Sequence, residues 1–397
     1  MKNKIIILGS TGSIGSTVLN LIKKQNYNVI LLSANNNIKK LLQQSIKYNS
    51  KFAVIENEYL YKKYFNLFKR NKIKLFYGIN NINKIINNKI NFCVNGITGI
   101  EGLEPTLKII PKTKVLLMAN KESIICGWNL INKLLIKNNV EFIPLDSEHF
   151  SIWNLIPKSD KSQITKIFIT ASGGPFLNKE FKNLKNISPD KALKHPNWKM
   201  GKKITIDSST MMNKIFELIE ASKIFDLSLN KLSIVIHPES YIHAIVEINN
   251  SLIKILAHET TMSVPIANAL NINLKKKKTT ISNINKLNNL KVLAPNVKNF
   301  PLLDLIKYIP NKNSYFETVL VTLNDELVKL FLKKKINYIS IHYNLLNMII
   351  NPYFFKYYKK APRNINDIKN MILKVRKFLK LNILNYDNKK YYKKANI

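Results

Sequence analysis

The chain reads as an α/β protein with a mixed α+β middle and an all-helical end. Three observations carry this. From Lys4 to Leu145, short apolar runs alternate with polar, helix-compatible segments, as in a parallel sheet covered on both faces. Between Thr165 and Leu256 further strand signals close in a hairpin turn at Asn249-Asn250. After a Lys/Asn-rich linker, residues 274 to 299, only helical periodicity remains: Leu302 to Ile309, Phe316 to Leu332, His342 to Ile350 and Ile365 to Leu381, then a basic tail from Tyr386.

A length of 397 residues allows two or three domains with a sizeable core. No apolar run approaches the roughly 18 residues of a membrane helix, because Lys and Asn interrupt each one. The first strand signal begins at Lys4, which leaves no room for a targeting segment. Two cysteines, Cys93 and Cys126, imply no disulfide framework and fit a reducing cytoplasm. The net charge of +39 invites a nucleic-acid reading. The excess, however, is Lys rather than Arg, is spread along the chain, and follows a general drift towards Lys, Asn and Ile. Neither nucleic acid nor membrane is expected as a partner.

The run Lys4-Ile5-Ile6-Ile7-Leu8 leads into Gly9-Ser10-Thr11-Gly12-Ser13-Ile14-Gly15, and Ser16 to Ile22 follows with helical spacing. Strand, glycine turn and helix in that order form the dinucleotide fingerprint. Gly9 permits the tight turn, Gly12 lets the backbone approach a pyrophosphate, and Gly15 lets the helix pack closely. The second strand, Asn28 to Leu32, ends in Ser33-Ala34-Asn35-Asn36-Asn37-Ile38-Lys39-Lys40. No acid stands there to take ribose hydroxyls. Neutral donors followed by two lysines suit a 2′-phosphate, hence NADP, although both lysines also fit a solvated helix.

Later strand ends should open on the same rim: Asn95-Gly96-Ile97-Thr98-Gly99, Ala119-Asn120-Lys121-Glu122-Ser123, and Pro144-Leu145-Asp146-Ser147-Glu148-His149. Asp146 and Glu148 offer the hard oxygens that Mg²⁺ or Mn²⁺ takes; they equally suit an N-cap and a first-turn acid. Ala171-Ser172-Gly173-Gly174-Pro175-Phe176 suits a backbone that wraps an anion. His195-Pro196-Asn197-Trp198-Lys199-Met200-Gly201 fits a flap over a ligand, or a loop that Trp198 anchors. The cluster Asp207-Ser208-Ser209-Thr210 is expected to cap a helix, placing Ser208 at its positive end. Asn213, Lys214 and Glu217 share one face of that helix. Glu217 is a natural third metal carboxylate, or half of a solvated Lys–Glu pair.

These motifs, in this order and over essentially the whole chain, resemble the 1-deoxy-D-xylulose 5-phosphate reductoisomerases. The resemblance implies a Rossmann-like NADP-binding domain (1–145), a central α+β catalytic domain (146–273) and a C-terminal α-helical domain (300–397) in a homodimer. It implies rearrangement and NADPH-dependent reduction of a sugar phosphate, giving 2-C-methyl-D-erythritol 4-phosphate, an isoprenoid precursor. By the same resemblance Asp146, Glu148 and Glu217 hold Mg²⁺ or Mn²⁺. Ser147, Ser172, His195, Ser208, Asn213 and Lys214 bind substrate, and Lys121 lies near the reacting hydroxyls. Thr11, Gly12, Ser13, Ile14, Asn120, Glu122 and Gly201 contact the cofactor. Asn35, Asn36 and Asn37 occupy its 2′-phosphate end, where the family commonly has Gly and a basic residue. Two further departures are the bulky His149-Phe150-Ser151 and the eroded Glu259-Thr260-Thr261-Met262-Ser263.

Overall fold

The computed structural model describes residues 2–22, 27–157, 160–198, 200–274, 288 and 290–386. They divide into two compact units: the described residues of Met1–Asn154 with Thr261–Thr280, and those of Leu155–Thr260 with Ile281–Ile397. Residues 275–287 and 289 of the expected linker, and 387–397 of the expected basic tail, lie outside the described residues.

The first unit alternates strictly. Its elements are β1 (Asn3–Leu8), α1 (Ser13–Ile22), β2 (Tyr27–Ala34), α2 (Ile38–Lys47), β3 (Phe52–Ile55), α3 (Glu58–Arg70), β4 (Lys74–Tyr77) and α4 (Ile82–Ile85). They continue with β5 (Ile90–Asn95), α5 (Leu103–Ile109), β6 (Thr113–Met118), α6 (Lys121–Asn138), β7 (Glu141–Pro144) and α7 (Ser147–Leu155). The sheet runs β4-β3-β2-β1-β5-β6-β7, and every neighbouring pair is parallel. Ile5, Ile6, Ile7 and Leu8 are all buried, which explains an apolar run without alternation: both faces of the strand are covered. Strand order reverses between β1 and β5. In open α/β sheets that reversal opens a crevice at the carboxyl ends of the strands. The glycine turn lies there.

A later helix, α11 (Ser263–Ala269), belongs to this unit. Ile266, Ala267, Ala269 and Leu270 join the same apolar cluster as Val18, Leu19 and Ile22, and the Tyr27 hydroxyl donates to the Leu270 carbonyl at 2.7 Å.

The second unit holds β8 (Ile164–Ala171), α8 (Pro189–Ala192), α9 (Lys202–Ser209), α10 (Met212–Phe225), β9 (Leu232–Ile236), β10 (Ile242–Ile248) and β11 (Leu252–Ala257). Its sheet runs β11-β10-β8-β9. β8 and β9 are parallel, while β10 is antiparallel to β8 and β11. The helical end follows as a 3₁₀ stretch (Pro301–Tyr308), α12 (Phe316–Leu332), α13 (Tyr338–Ile349), α14 (Pro352–Tyr358) and α15 (Ile365–Tyr386). The short α14 had no periodic signal; Asn351 caps it and Pro352 opens it. α13 starts at Tyr338, ahead of its expected start at His342, because Asn337 accepts the Ser340 N–H as cap. α10 packs on β8, on β9 and on the 3₁₀ stretch, and every residue from Met212 to Ala221 is buried.

One consequence concerns the turn after β1. A Cβ on Gly15 would lie 2.4 Å from Ser10 Cα and 2.6 Å from the Gly9 carbonyl oxygen, both backbone atoms. Gly15→Ala should therefore lower unfolding stability by about 1–3 kcal/mol through overpacking. A urea midpoint equal to that of the parent chain would contradict this.

Candidate active site

The glycine turn is built by close backbone approach. Gly9 has φ +75°, and a Cβ there would meet the Gly96 carbonyl oxygen at 2.9 Å, so the β1 and β5 turns touch directly at the reversal. Gly12 N donates back to Gly9 O at 3.1 Å, and α1 starts at Ser13, whose first N–H groups have no intrahelical acceptor. Thr11, Gly12, Ser13 and Ile14 therefore stand where phosphate oxygens are welcome. The turn is braced from α2. Gln44 and Ser10 exchange two hydrogen bonds, at 2.8 and 3.0 Å. Lys40 Nζ donates to the Thr11 carbonyl and to Ser16 Oγ, both at 2.9 Å. Lys40 is thus fixed on the phosphate turn, whereas Lys39 is exposed. Asn35, Asn36 and Asn37 are exposed at the end of β2. Asn37 caps α2, and Asn36 accepts from Asn57 at 3.0 Å.

Along the same rim, Asn120 caps α6 by accepting Ser123 N at 2.7 Å. Its amide nitrogen donates to Gly99 O at 2.7 Å and to Ile97 O, so its side chain is committed to holding the turn after β5. Lys121 and Glu122 open α6. Asp146 does serve as the N-cap weighed above: Oδ1 accepts the His149 N–H at 2.6 Å, and Oδ2 meets the buried His149 ring. Ser147 Oγ donates to Glu148 Oε2 at 2.5 Å.

In the second unit the structure gathers Ser172, His195, Ser208 and Lys214. His195 Nδ1 accepts the N–H groups of Asn197 and Trp198 at 3.1 and 2.9 Å. The proton must then sit on Nε2, which donates to Ser172 Oγ at 3.0 Å. Ser172 Oγ also accepts Gly174 N at 3.1 Å. With both lone pairs filled, the Ser172 hydroxyl is left to donate. Gly173 and Gly174 lie at φ +80° and +66°, and a Cβ on Gly174 would meet Ser208 O at 3.1 Å. The Ser172 turn thus lies against Ser208. On α10, Asn213 Nδ2 and Lys214 Nζ donate to the two oxygens of Glu217 at 2.5 and 2.6 Å. All three are buried, which rules out the solvated-pair alternative.

Three family models match the chain. They are 1-deoxy-D-xylulose 5-phosphate reductoisomerase over residues 5–127, its C-terminal domain over 142–225, and the DXP reductoisomerase C-terminal domain over 258–378. A 1-deoxy-D-xylulose 5-phosphate reductoisomerase from Pelagibacter ubique is 48% identical over 373 residues, covering 93% of this chain and 96% of the relative. The chain belongs to the 1-deoxy-D-xylulose 5-phosphate reductoisomerase family. The solved structure of the Zymomonas mobilis enzyme in complex with NADPH matches with a TM-score of 0.85 at 30% identity, over 95% of this chain and 97% of that one. A DOX-P reductoisomerase in complex with NADPH, fosmidomycin and magnesium matches with a TM-score of 0.89 at 30% identity, over 97% and 99%.

Within that family frame, one expectation needs correcting. Asp207, Ser208 and Ser209 do not open a helix; they form the last turn of α9. Met211, at φ +65°, breaks the chain, and α10 begins only at Met212. The cause lies upstream: Gly201 caps α9, Thr205 N bonds back to Gly201 O, and Thr210 N closes on Ile206 O. Ser208 therefore stands at a helix C-terminal end. Gly201 itself is exposed, with open space around its Cβ position. Trp198 takes the anchoring role: its ring stands edge-on to His243 with centroids 6.1 Å apart. Asn197 ties the loop to Pro238 O and Ser240 Oγ at 2.6 and 2.8 Å, and Lys199 lies outside the described residues. Sequence reasoning missed Gln44 and Ser240, which brace the site across separations of 34 and 43 residues that no local spacing signals.

Burial, with the Lys214 ammonium nearby, pushes the His195 imidazole down to about 4. Its ordinary value is 6.5, so the unfolded chain takes up the proton first. The stability His195 contributes is full above pH 6.5 and is lost as pH falls towards 4. In an NMR titration the His195 ring should stay neutral through pH 6.5 and protonate near 4. A midpoint at its ordinary value would contradict the bonded geometry.

Proposed function

We propose that this chain converts 1-deoxy-D-xylulose 5-phosphate to 2-C-methyl-D-erythritol 4-phosphate by rearrangement and NADPH-dependent reduction, in the non-mevalonate route to isoprenoid precursors. The observation that carries this is the cluster Ser172–His195–Lys214–Glu217, a set of aimed donors beside a buried carboxylate, in a chain of this family.

The glycine turn fits a dinucleotide, since its backbone is bare where pyrophosphate binds and the helix behind it is positive. Thr11, Gly12, Ser13 and Ile14 would hold the pyrophosphate side. Asn35, Asn36 and Asn37 lie at the 2′-phosphate end, with Asn120, Glu122 and Gly201 as further contacts. No acid ends β2, so NADPH is preferred over NADH. Ser147, Ser172, His195, Ser208, Asn213 and Lys214 bind the sugar phosphate, and Lys121 serves the reacting hydroxyls. Neutral His195 fixes Ser172 so that its hydroxyl donates, and Lys214 supplies positive charge to an anionic group.

Asp146, Glu148 and Glu217 are the carboxylates that would hold Mg²⁺ or Mn²⁺. As a donor set they fit: all are hard oxygens, and each is oriented by a neighbour, Asp146 by His149, Glu148 by Ser147, Glu217 by Asn213 and Lys214. When bound, the ion supplies Lewis-acid polarisation of the substrate carbonyl. The functional division is proposed as 1–145 for NADPH, 146–273 for metal and substrate, and 300–397 as helical support. It cuts across the compact units, because α7 and α11 group with the N-terminal sheet.

We also read the chain as a cytoplasmic homodimer. Cys93 and Cys126 are buried and form no disulfide, and among the described residues no helix is long and apolar enough to cross a membrane. The dimer reading rests on β11, an edge strand that exposes Leu252, Ile253 and Ile255; such edges call for cover. Ile253→Glu with Ile255→Glu should turn a sedimenting dimer into a monomer, and a dimer that survives would contradict this face.

The activity is tested by NADPH consumption that requires both 1-deoxy-D-xylulose 5-phosphate and divalent metal. Glu217→Gln keeps size but removes the charge. It should cost about 100-fold or more in turnover and weaken Mn²⁺ binding while NADPH still binds. Turnover indifferent to metal, or full activity in the variant, would overturn the assignment.

A further inference from the structure

Ser208 is gripped from both sides by the helical end of the chain. On one side Asn324 of α12, fully buried, donates from Nδ2 to Asp207 Oδ1 at 2.8 Å. The other Asp207 oxygen takes Lys203 Nζ at 3.1 Å, and the same ammonium reaches Asp325 Oδ1 at 2.9 Å. On the other side Tyr338, the first residue of α13 and also fully buried, donates its hydroxyl to Ser209 Oγ at 3.1 Å. Ser209 Oγ in turn donates to Ile206 O at 2.7 Å.

Tyr338 also touches the opposite wall. Its ring stands edge-on to Phe176, with centroids 5.2 Å apart, and Phe176 ends the Ser172 turn. Gly174 of that turn lies so close that a Cβ would sit 3.0 Å from Ser209 Cα. One buried tyrosine therefore braces both the Ser172 turn and the residue after Ser208. A phenylalanine would fill the same apolar space without burying a hydroxyl, and a buried hydroxyl is costly unless it is bonded. Burial also holds the phenol far above its ordinary range, so it stays a donor.

We propose that Asn324 and Tyr338 are positioning residues. Through Asp207 and Ser209 they set the Ser208 hydroxyl against the Ser172 turn, and the C-terminal helices thereby set the affinity for the phosphorylated substrate. Neither residue touches substrate. The proposal rests on the reading above that Ser208 binds it.

Steady-state kinetics on the full chain with 1-deoxy-D-xylulose 5-phosphate test this. Tyr338→Phe removes one hydrogen bond and keeps the ring, and Ser209→Ala removes its acceptor with little change of volume. Each should raise the substrate KM about 5- to 10-fold, the worth of one such bond, with kcat and the KM for NADPH unchanged within about twofold. Ser208→Ala should raise the substrate KM by itself, and adding Tyr338→Phe to it should have no further effect, because the second residue acts through the first. Suppose Ser208→Ala raises KM while Tyr338→Phe and Ser209→Ala only lower the melting temperature. The positioning role is then overturned and the Ser208 reading stands. The same holds if Tyr338→Phe keeps its full effect in the Ser208→Ala background. An unchanged KM in Ser208→Ala overturns the Ser208 reading and this proposal with it.

Discussion

A lysine and a glutamate inside a helix buried on every side set the terms for the second unit. An unpaired ion in such a place costs several kcal/mol, so Lys214 and Glu217 must meet, and their spacing of three on α10 lets them. Asn213 then fills the remaining carboxylate oxygen. The consequences run outward. Local burial, with the fixed ammonium nearby, keeps His195 neutral. A neutral ring whose Nδ1 is filled by two backbone N–H groups can only donate from Nε2. Ser172, with its lone pairs occupied, is left with one proton to give. Each step removes a degree of freedom, and the result is a set of aimed donors formed before any ligand arrives.

The first unit reaches the same end by a different route. Its binding groups are backbone N–H donors, so the requirement there is closeness. Gly9 against Gly96, and Gly15 against Ser10, are approaches no side chain permits. Gln44 and Lys40, reaching over from α2, hold the turn in place. Amides at a helix start suit a long anionic cofactor, while side-chain donors around a buried ion pair suit a small phosphorylated sugar.

Much of this was legible in the residues. Apolar runs such as Ile5 to Leu8 declared parallel strands because both faces are covered, and the glycine spacing declared the turn. The shared face of Asn213, Lys214 and Glu217 followed from helical geometry alone. Other features were not legible, for physical reasons. Met211 in a left-handed conformation is a break that its own side chain does not favour; the packing of α9 and α10 imposes it, so local sequence alone points Ser208 to the wrong helix end. Asn324 and Tyr338 meet their partners across 117 and 129 residues, a distance over which spacing carries no information. The place of α11 with the N-terminal sheet rests likewise on which apolar face finds which core.

The central claim is that the site rearranges a carbon skeleton and does not merely deliver hydride. Carbon-13 NMR of the product from uniformly labelled 1-deoxy-D-xylulose 5-phosphate with NADPH and Mg²⁺ tests it most directly. The account predicts the branched connectivity of 2-C-methyl-D-erythritol 4-phosphate, with a quaternary carbon bonded to the methyl group. An unbranched, simply reduced sugar phosphate, or unconverted substrate, would contradict it.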